Sequence, residues 1–140
     1  MSEQEQWPEG LPVDRTRVAR PTDRLREVRR FYGDLLGLAE LGTFAAHAGY
    51  SGVFFGLPGL DHHLEFTQHE SGTPSPSPTK DNLLVLYFND AVAVDAIVER
   101  LTAAGHPPVE PENSYWTTTE DSVTVEDPDG WRVVLVKPRG

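Results

Sequence analysis

The spacing of apolar and polar positions changes several times along the chain, and each change marks an element. Arg15 to Ala19 alternates in the manner of a short strand. Pro21 and Thr22 end it, since proline brings no N–H to a ladder and threonine caps helices well. From Asp23 onward Leu25, Val28, Phe31, Tyr32, Leu35 and Leu36 recur at helical spacing, and Gly37 closes that helix. Three short strands are predicted next, over Ala39–Thr43, Gly52–Phe55 and His62–Thr67.

The stretch QHESGTPSPSPTKD, residues 68–81, has no apolar period and reads as a linker or long surface loop. Order resumes with Leu83 to Phe88, a continuous apolar run suited to a buried strand. Val94, Ile97, Val98, Leu101 and Ala104 then form a second amphipathic helix, closed by Gly105. Further strands are predicted over Pro107–Val109, Tyr115–Thr118, Ser122–Glu126 and Trp131–Lys137. The last two flank DPDG (residues 127–130), whose proline and glycine positions favour a type I turn and a hairpin.

Each half therefore reads as a strand, a helix and three more strands, with module one over residues 13–67 and module two over residues 82–137. Repetition of one supersecondary unit across a linker predicts a pseudo-symmetric α+β domain spanning residues 1–140, with residues 1–12 as a flexible lead-in. A chain of 140 residues buries roughly two thirds of its unfolded surface, enough for one real core.

Composition narrows the function classes. Lys and Arg number 12 against 22 Asp and Glu, a net charge of -10, which argues against nucleic acid and against an anionic membrane surface. Seven of the twelve basic residues lie between Arg15 and Arg30, so a cationic or neutral ligand near the acidic part, or an arginine-lined corner for a small anion, is favoured over a polyanion. No run of 18 apolar residues and no basic-then-apolar leader is present, which fits a cytoplasmic protein. The absence of cysteine removes disulfides and thiolate chemistry, so any metal would be held by His and carboxylates.

Residues 61–66, DHHLEF, carry those donor types. In a strand, residues two apart share a face, which puts His63, Glu65 and Thr67 on one side and His62, Leu64 and Phe66 on the other. Two donors do not make a stable catalytic site, and His47 or Glu126 are the remote residues that could supply a third. Glu65 in an apolar cavity would also suit a general base. No GxSxG elbow and no glycine-rich phosphate loop is present.

The paired plan, the helix segment FYGDLLGL (Phe31 to Leu38), the helix end LTAAGH (Leu101 to His106) and the hairpin DPDGWRVVLV (Asp127 to Val136) together resemble the vicinal oxygen chelate superfamily. That superfamily includes glyoxalase I, bleomycin resistance proteins, fosfomycin resistance enzymes and extradiol dioxygenases. The resemblance covers nearly the whole chain after about residue 13 and implies two βαβββ modules curled into an incomplete barrel around a cavity, commonly in a homodimer. It also implies metal ligands on the first and last strand of each module. Those positions fall on Arg17, near Asn82 or Leu83, on Glu65 and on Val134, so only Glu65 keeps a usual ligand. Arginine does not lose its proton to bind a cation.

Arg17 is instead expected to point inward and pair with Glu65, replacing the metal electrostatically. Tyr115, Trp116 and Trp131 offer a flat wall for a planar or cationic ligand, and Trp7 sits in the N-terminal arm. The expectation is a protein with no cofactor that sequesters a small organic molecule in a cavity, as the antibiotic-sequestering branch of the family does. The alternative is a glyoxalase-type lyase, isomerase or transferase using Glu65 with His63, either as base or as ligands of a divalent ion such as Zn, Ni, Mn or Fe. Whether the modules close within one chain or exchange across a dimer stays open.

Overall fold

The architecture comes from a computed structural model that describes residues 9–57, 61–117 and 121–138. Strand β1 (Thr16–Pro21) leads into helix α1 (Leu25–Arg29), which widens into a π-helical segment (Arg30–Leu35). The wider turn brings Phe31, Tyr32 and Leu35 onto one buried face, and Gly37 stops it at φ +96°, a left-handed conformation that glycine adopts without strain. Thr22, fully buried, accepts the Arg24 N–H at 2.9 Å on its Oγ1, so it turns the chain just before the helix. Strands β2 (Ala39–His47), β3 (Tyr50–Gly56) and β4 (His62–His69) complete module one.

Module two consists of β5 (Leu83–Tyr87), α2 (Ala91–Ala103), a single helical turn α3 (Ser114–Thr117), β6 (Ser122–Glu126) and β7 (Arg132–Val136). Asp90 caps α2 by accepting the Val92 N–H. The sheets run β1-β4-β3-β2 and β5-β7-β6, with the first strand of each module parallel to its last. The fold is α+β: two related modules whose sheets do not close into a barrel. No helix among the described residues is long and apolar enough to cross a membrane.

Two predicted strands of module two take another form. Pro107–Val109 keeps one ladder-like bond, Val109 N–H to Thr124 O at 2.8 Å, because three consecutive positions with two prolines supply too few donors for a strand. Tyr115–Thr117 folds as α3, because the Asn113 side chain accepts the Tyr115 N–H at 2.9 Å and starts a helical turn. Thr118 and Trp7 lie outside the described residues.

Leu64 and Phe66 of β4, Val53 and Phe55 of β3, and Val125, Val133 and Leu135 of module two join Val28, Phe31, Val94 and Leu101 of the helices in one core. The modules are also tied by polar groups at one end of that core. Arg20 from β1 reaches Asp127 at 2.6 Å and Asp129 at 3.0 Å in the DPDG turn. Thr22 donates to Asp129 at 2.7 Å, and Tyr32 donates to Asp127 at 2.7 Å. Asp127 also accepts the N–H groups of Asp129 and Trp131, at 2.8 and 2.9 Å. Burial pushes the Asp127 carboxyl above the usual carboxylate value, although Arg20 and the hydrogen bonds pull the other way. Burial, reinforced by Asp127, also pushes the Tyr32 phenol well above its ordinary value.

Candidate functional site

The side of sheet one turned away from the helices is set by strand alternation. Arg17 lies beside His63 in the parallel β1–β4 pair, and Ala19 lies beside Glu65, which in turn faces Phe54 across the antiparallel β3–β4 pair. Arg17 Nη1 stands 3.8 Å from Glu65 Oε1, so the expected pairing forms, as a loose ion pair beyond hydrogen-bond length. The Arg17 guanidinium rests 4.4 Å from the centre of the Phe54 ring. Its side chain is 43% exposed while that of Glu65 is 16% exposed, which makes the carboxylate the more enclosed partner.

His63 shares this side, but its Nδ1 is enclosed without a hydrogen-bond partner. An enclosed, unmatched acceptor costs about 1–3 kcal/mol. His63→Leu should therefore leave stability within about 1 kcal/mol of the parent, or raise it, in urea unfolding. A loss above about 2 kcal/mol would show that the imidazole has a partner in solution.

Among the described residues no three His, Asp or Glu side chains gather where one ion could bind them. His47 lies exposed at the end of β2, and Glu126 is occupied by Arg132 Nε at 3.0 Å. Val134, at another ligand position of the superfamily, is fully buried. The donor set around Glu65 does not fit the resident metal that the superfamily implies, because a guanidinium stands where the first-strand ligand would be.

Between the modules lies a cavity of ≈290 Å³, walled by Val18, Leu64, Phe66, Leu83, Leu84 and Trp131. Its polar lining includes Glu65, Arg20 and Arg132. Trp131 is fixed there by donating its indole N–H to Ser75 O in the linker at 3.0 Å. Arg20 is held between the rings of Phe66 and Trp131, 4.9 Å from the centre of each. Of the predicted site residues, then, Glu65 and Trp131 line this space, while Arg17 and His63 do not: they lie on the other face of the sheet, where Arg17 meets Glu65. Tyr115 and Trp116 meet edge to face at 4.8 Å and line a separate cleft with Tyr87 and Val136.

Arg20 and Arg132 went unpredicted. Their signal was an arginine within an otherwise apolar strand face, Val18 and Arg20 two apart and WRVV at the start of β7, where burial demands a partner for the charge.

The model of the YycE-like N-terminal domain matches residues 16–67 and that of the YycE-like C-terminal domain matches residues 81–137. YycE of Bacillus subtilis (strain 168), an uncharacterized protein, is 50% identical over 124 residues, 89% of this chain and 88% of its own. The chain belongs to the YycE-like family. A solved YycE structure from Bacillus subtilis, of a protein of unknown function, superimposes with a TM-score of 0.87 at 46% identity, over 96% of this chain and 97% of that one.

Beyond the YycE-like proteins, the trypanothione-dependent glyoxalase I of Leishmania major aligns at TM-score 0.65 and 20% identity, over 86% of this chain and 84% of its own. TnmS3, an antibiotic binding protein from Streptomyces sp. CB03234, aligns at TM-score 0.65 and 21% identity, over 92% and 99%. At these identities the shared property is the fold: the chain has the fold of these glyoxalase and antibiotic-binding proteins.

Proposed function

We propose that this YycE-like protein works without a resident metal and binds a small organic molecule in the cavity between its modules. The observation that carries the proposal is the Arg17–Glu65 pair at 3.8 Å: a fixed positive charge stands at a ligand position and faces the one carboxylate that the superfamily pattern retains. A divalent ion placed there would meet that charge at close range in a partly buried setting. The cavity that Glu65 helps to line has mostly apolar walls and a few convergent polar groups, the usual make-up of a small-molecule site.

The antibiotic-binding protein TnmS3 shows that this fold also serves binding. Val18 is 62% exposed at the cavity and Leu41 is 54% exposed on β2, and we assign their cover to a second copy of the chain, giving a homodimer.

Elemental analysis of purified, untagged protein tests the reading. Less than about a tenth of an equivalent of Zn, Ni, Mn or Fe is expected, with no rise in Tm when each is added. Metal near one equivalent, lost in Glu65→Ala, would refute it. Sedimentation of the same samples reads the assembly, and a monomer at micromolar concentration would remove the second copy.

A further inference from the structure

We infer that the cavity between the modules selects a flat, uncharged, carbonyl-bearing molecule, and that Arg20 and Arg132 are the residues that select it. The inference rests on the reading above, that this cavity holds a small organic ligand. The two guanidinium groups come from different modules, on β1 and β7, and both line the cavity. They are nearly enclosed, with side-chain exposures of 12% and 5%.

Each charge is already met. Arg20 faces Asp127 and Asp129, and Arg132 reaches Glu126 through Nε and the Glu110 carbonyl through Nη1, the latter at 2.9 Å. A guanidinium has five N–H donors, more than these partners use. Among the described residues Arg20 Nε and Arg132 Nη2 have no acceptor. Neither belongs to the enclosed, unpartnered polar atoms, a condition found only for His63 Nδ1 among the described residues, so neither donor is sealed off completely.

Compensated guanidinium groups with unspent donors in an apolar wall suit an acceptor oxygen better than a further charge. With both guanidinium charges already balanced, a ligand ion of either sign would bring unbalanced charge into an apolar space. A carbonyl oxygen instead receives charge-assisted hydrogen bonds. Flatness follows from Trp131, whose ring lines the cavity and is held in place against the Arg20 guanidinium. The volume of ≈290 Å³ limits the molecule to about two or three fused rings. The acidic surplus of the chain, which pointed to a cation, is not concentrated here: Glu65 is the one carboxylate among the lining residues.

Coumarin, naphthalene and N-methylquinolinium are bicyclic aromatics of similar size that carry a carbonyl, no acceptor and a positive charge respectively. In calorimetric titration of the full chain, coumarin should bind at least about tenfold tighter than either of the others, the effect of one well-made hydrogen bond. Arg132→Met should abolish most of that preference, read as the ratio of coumarin to naphthalene affinity. Arg20→Lys keeps a cation against Asp127 but has no Nε donor, and should weaken coumarin in the same selective way.

N-methylquinolinium binding as tightly as coumarin, or coumarin affinity unchanged in both variants, overturns the inference. Naphthalene binding with a shift of the Trp131 indole resonance would still leave the small-molecule reading standing. Failure of all three to bind the folded protein overturns both.

Discussion

Replacing Arg20 with methionine should destabilise the folded chain by about 3–5 kcal/mol. The side chain is 12% exposed and its partners Asp127 and Asp129 are 0% and 7% exposed, so methionine leaves two enclosed carboxylates without their cation. A lone enclosed charge is far more costly than an absent pair. Arg20→Met combined with Asp127→Leu should therefore recover part of the loss, and a double-mutant cycle in urea measures how much. A loss under about 1 kcal/mol for Arg20→Met would show that water reaches the tie between the modules.

The same tie has a pH signature. The folded Asp127 carboxyl titrates above its unfolded value, because burial disfavours the charged form. The folded state therefore binds the proton more readily than the unfolded state between those two values. Its stabilising contribution is fully present below the unfolded value and is lost as pH rises through the folded one. Compared with Asp127→Asn, the parent chain should gain stability as pH falls from neutral toward about 4. Parallel unfolding free energies of the two proteins across that range would contradict the assignment.

Phe55→Ala should be as damaging, at about 3–5 kcal/mol. Phe55 is fully buried, packs near Tyr32 and Phe66 at ring separations of 6.4 and 6.1 Å, and lies under the helix at Gly33. A methyl group at Gly33 would stand 3.1 Å from the Phe55 ring, so the helix backbone rests directly on the aromatic surface. Removing the ring leaves a space that a helix so placed fills only by shifting. Phe55 is paired with Leu64, which walls the cavity between the modules, and its strand neighbour Phe54 supports Arg17. Urea unfolding of the variant measures the loss, and a value under about 1.5 kcal/mol would mean that the core repacks around the site.

Local patterns carried much of this molecule. The period of Leu25 to Leu36, the glycines after each helix and the DPDG turn all lie within a few residues of what they determine, and Ser122–Glu126 is the observed β6. The Arg17–Glu65 pair was legible because both residues sit at fixed places in a repeated module.

The tie between the modules was not legible in that way. DPDG was read as a hairpin turn, and nothing near it in sequence shows that Asp127 serves Arg20, which is 107 residues away. The aromatic segment at Tyr115 misled for a related reason. β-Propensity favoured a strand, but the Asn113 side chain settles the local contest for a helical turn and carries Trp116 away from Glu65.

The linker reads as the part of this chain most tolerant of change, rich in Ser and Pro and lacking any apolar period. Yet its Ser75 carbonyl holds the Trp131 indole, and its Ser77 N–H donates to Asp129 at 3.3 Å. An insertion or deletion there, ordinarily the mildest event in a protein's evolution, would move a cavity wall. The shape of that cavity can thus diverge among such chains through loop length, with every strand left intact.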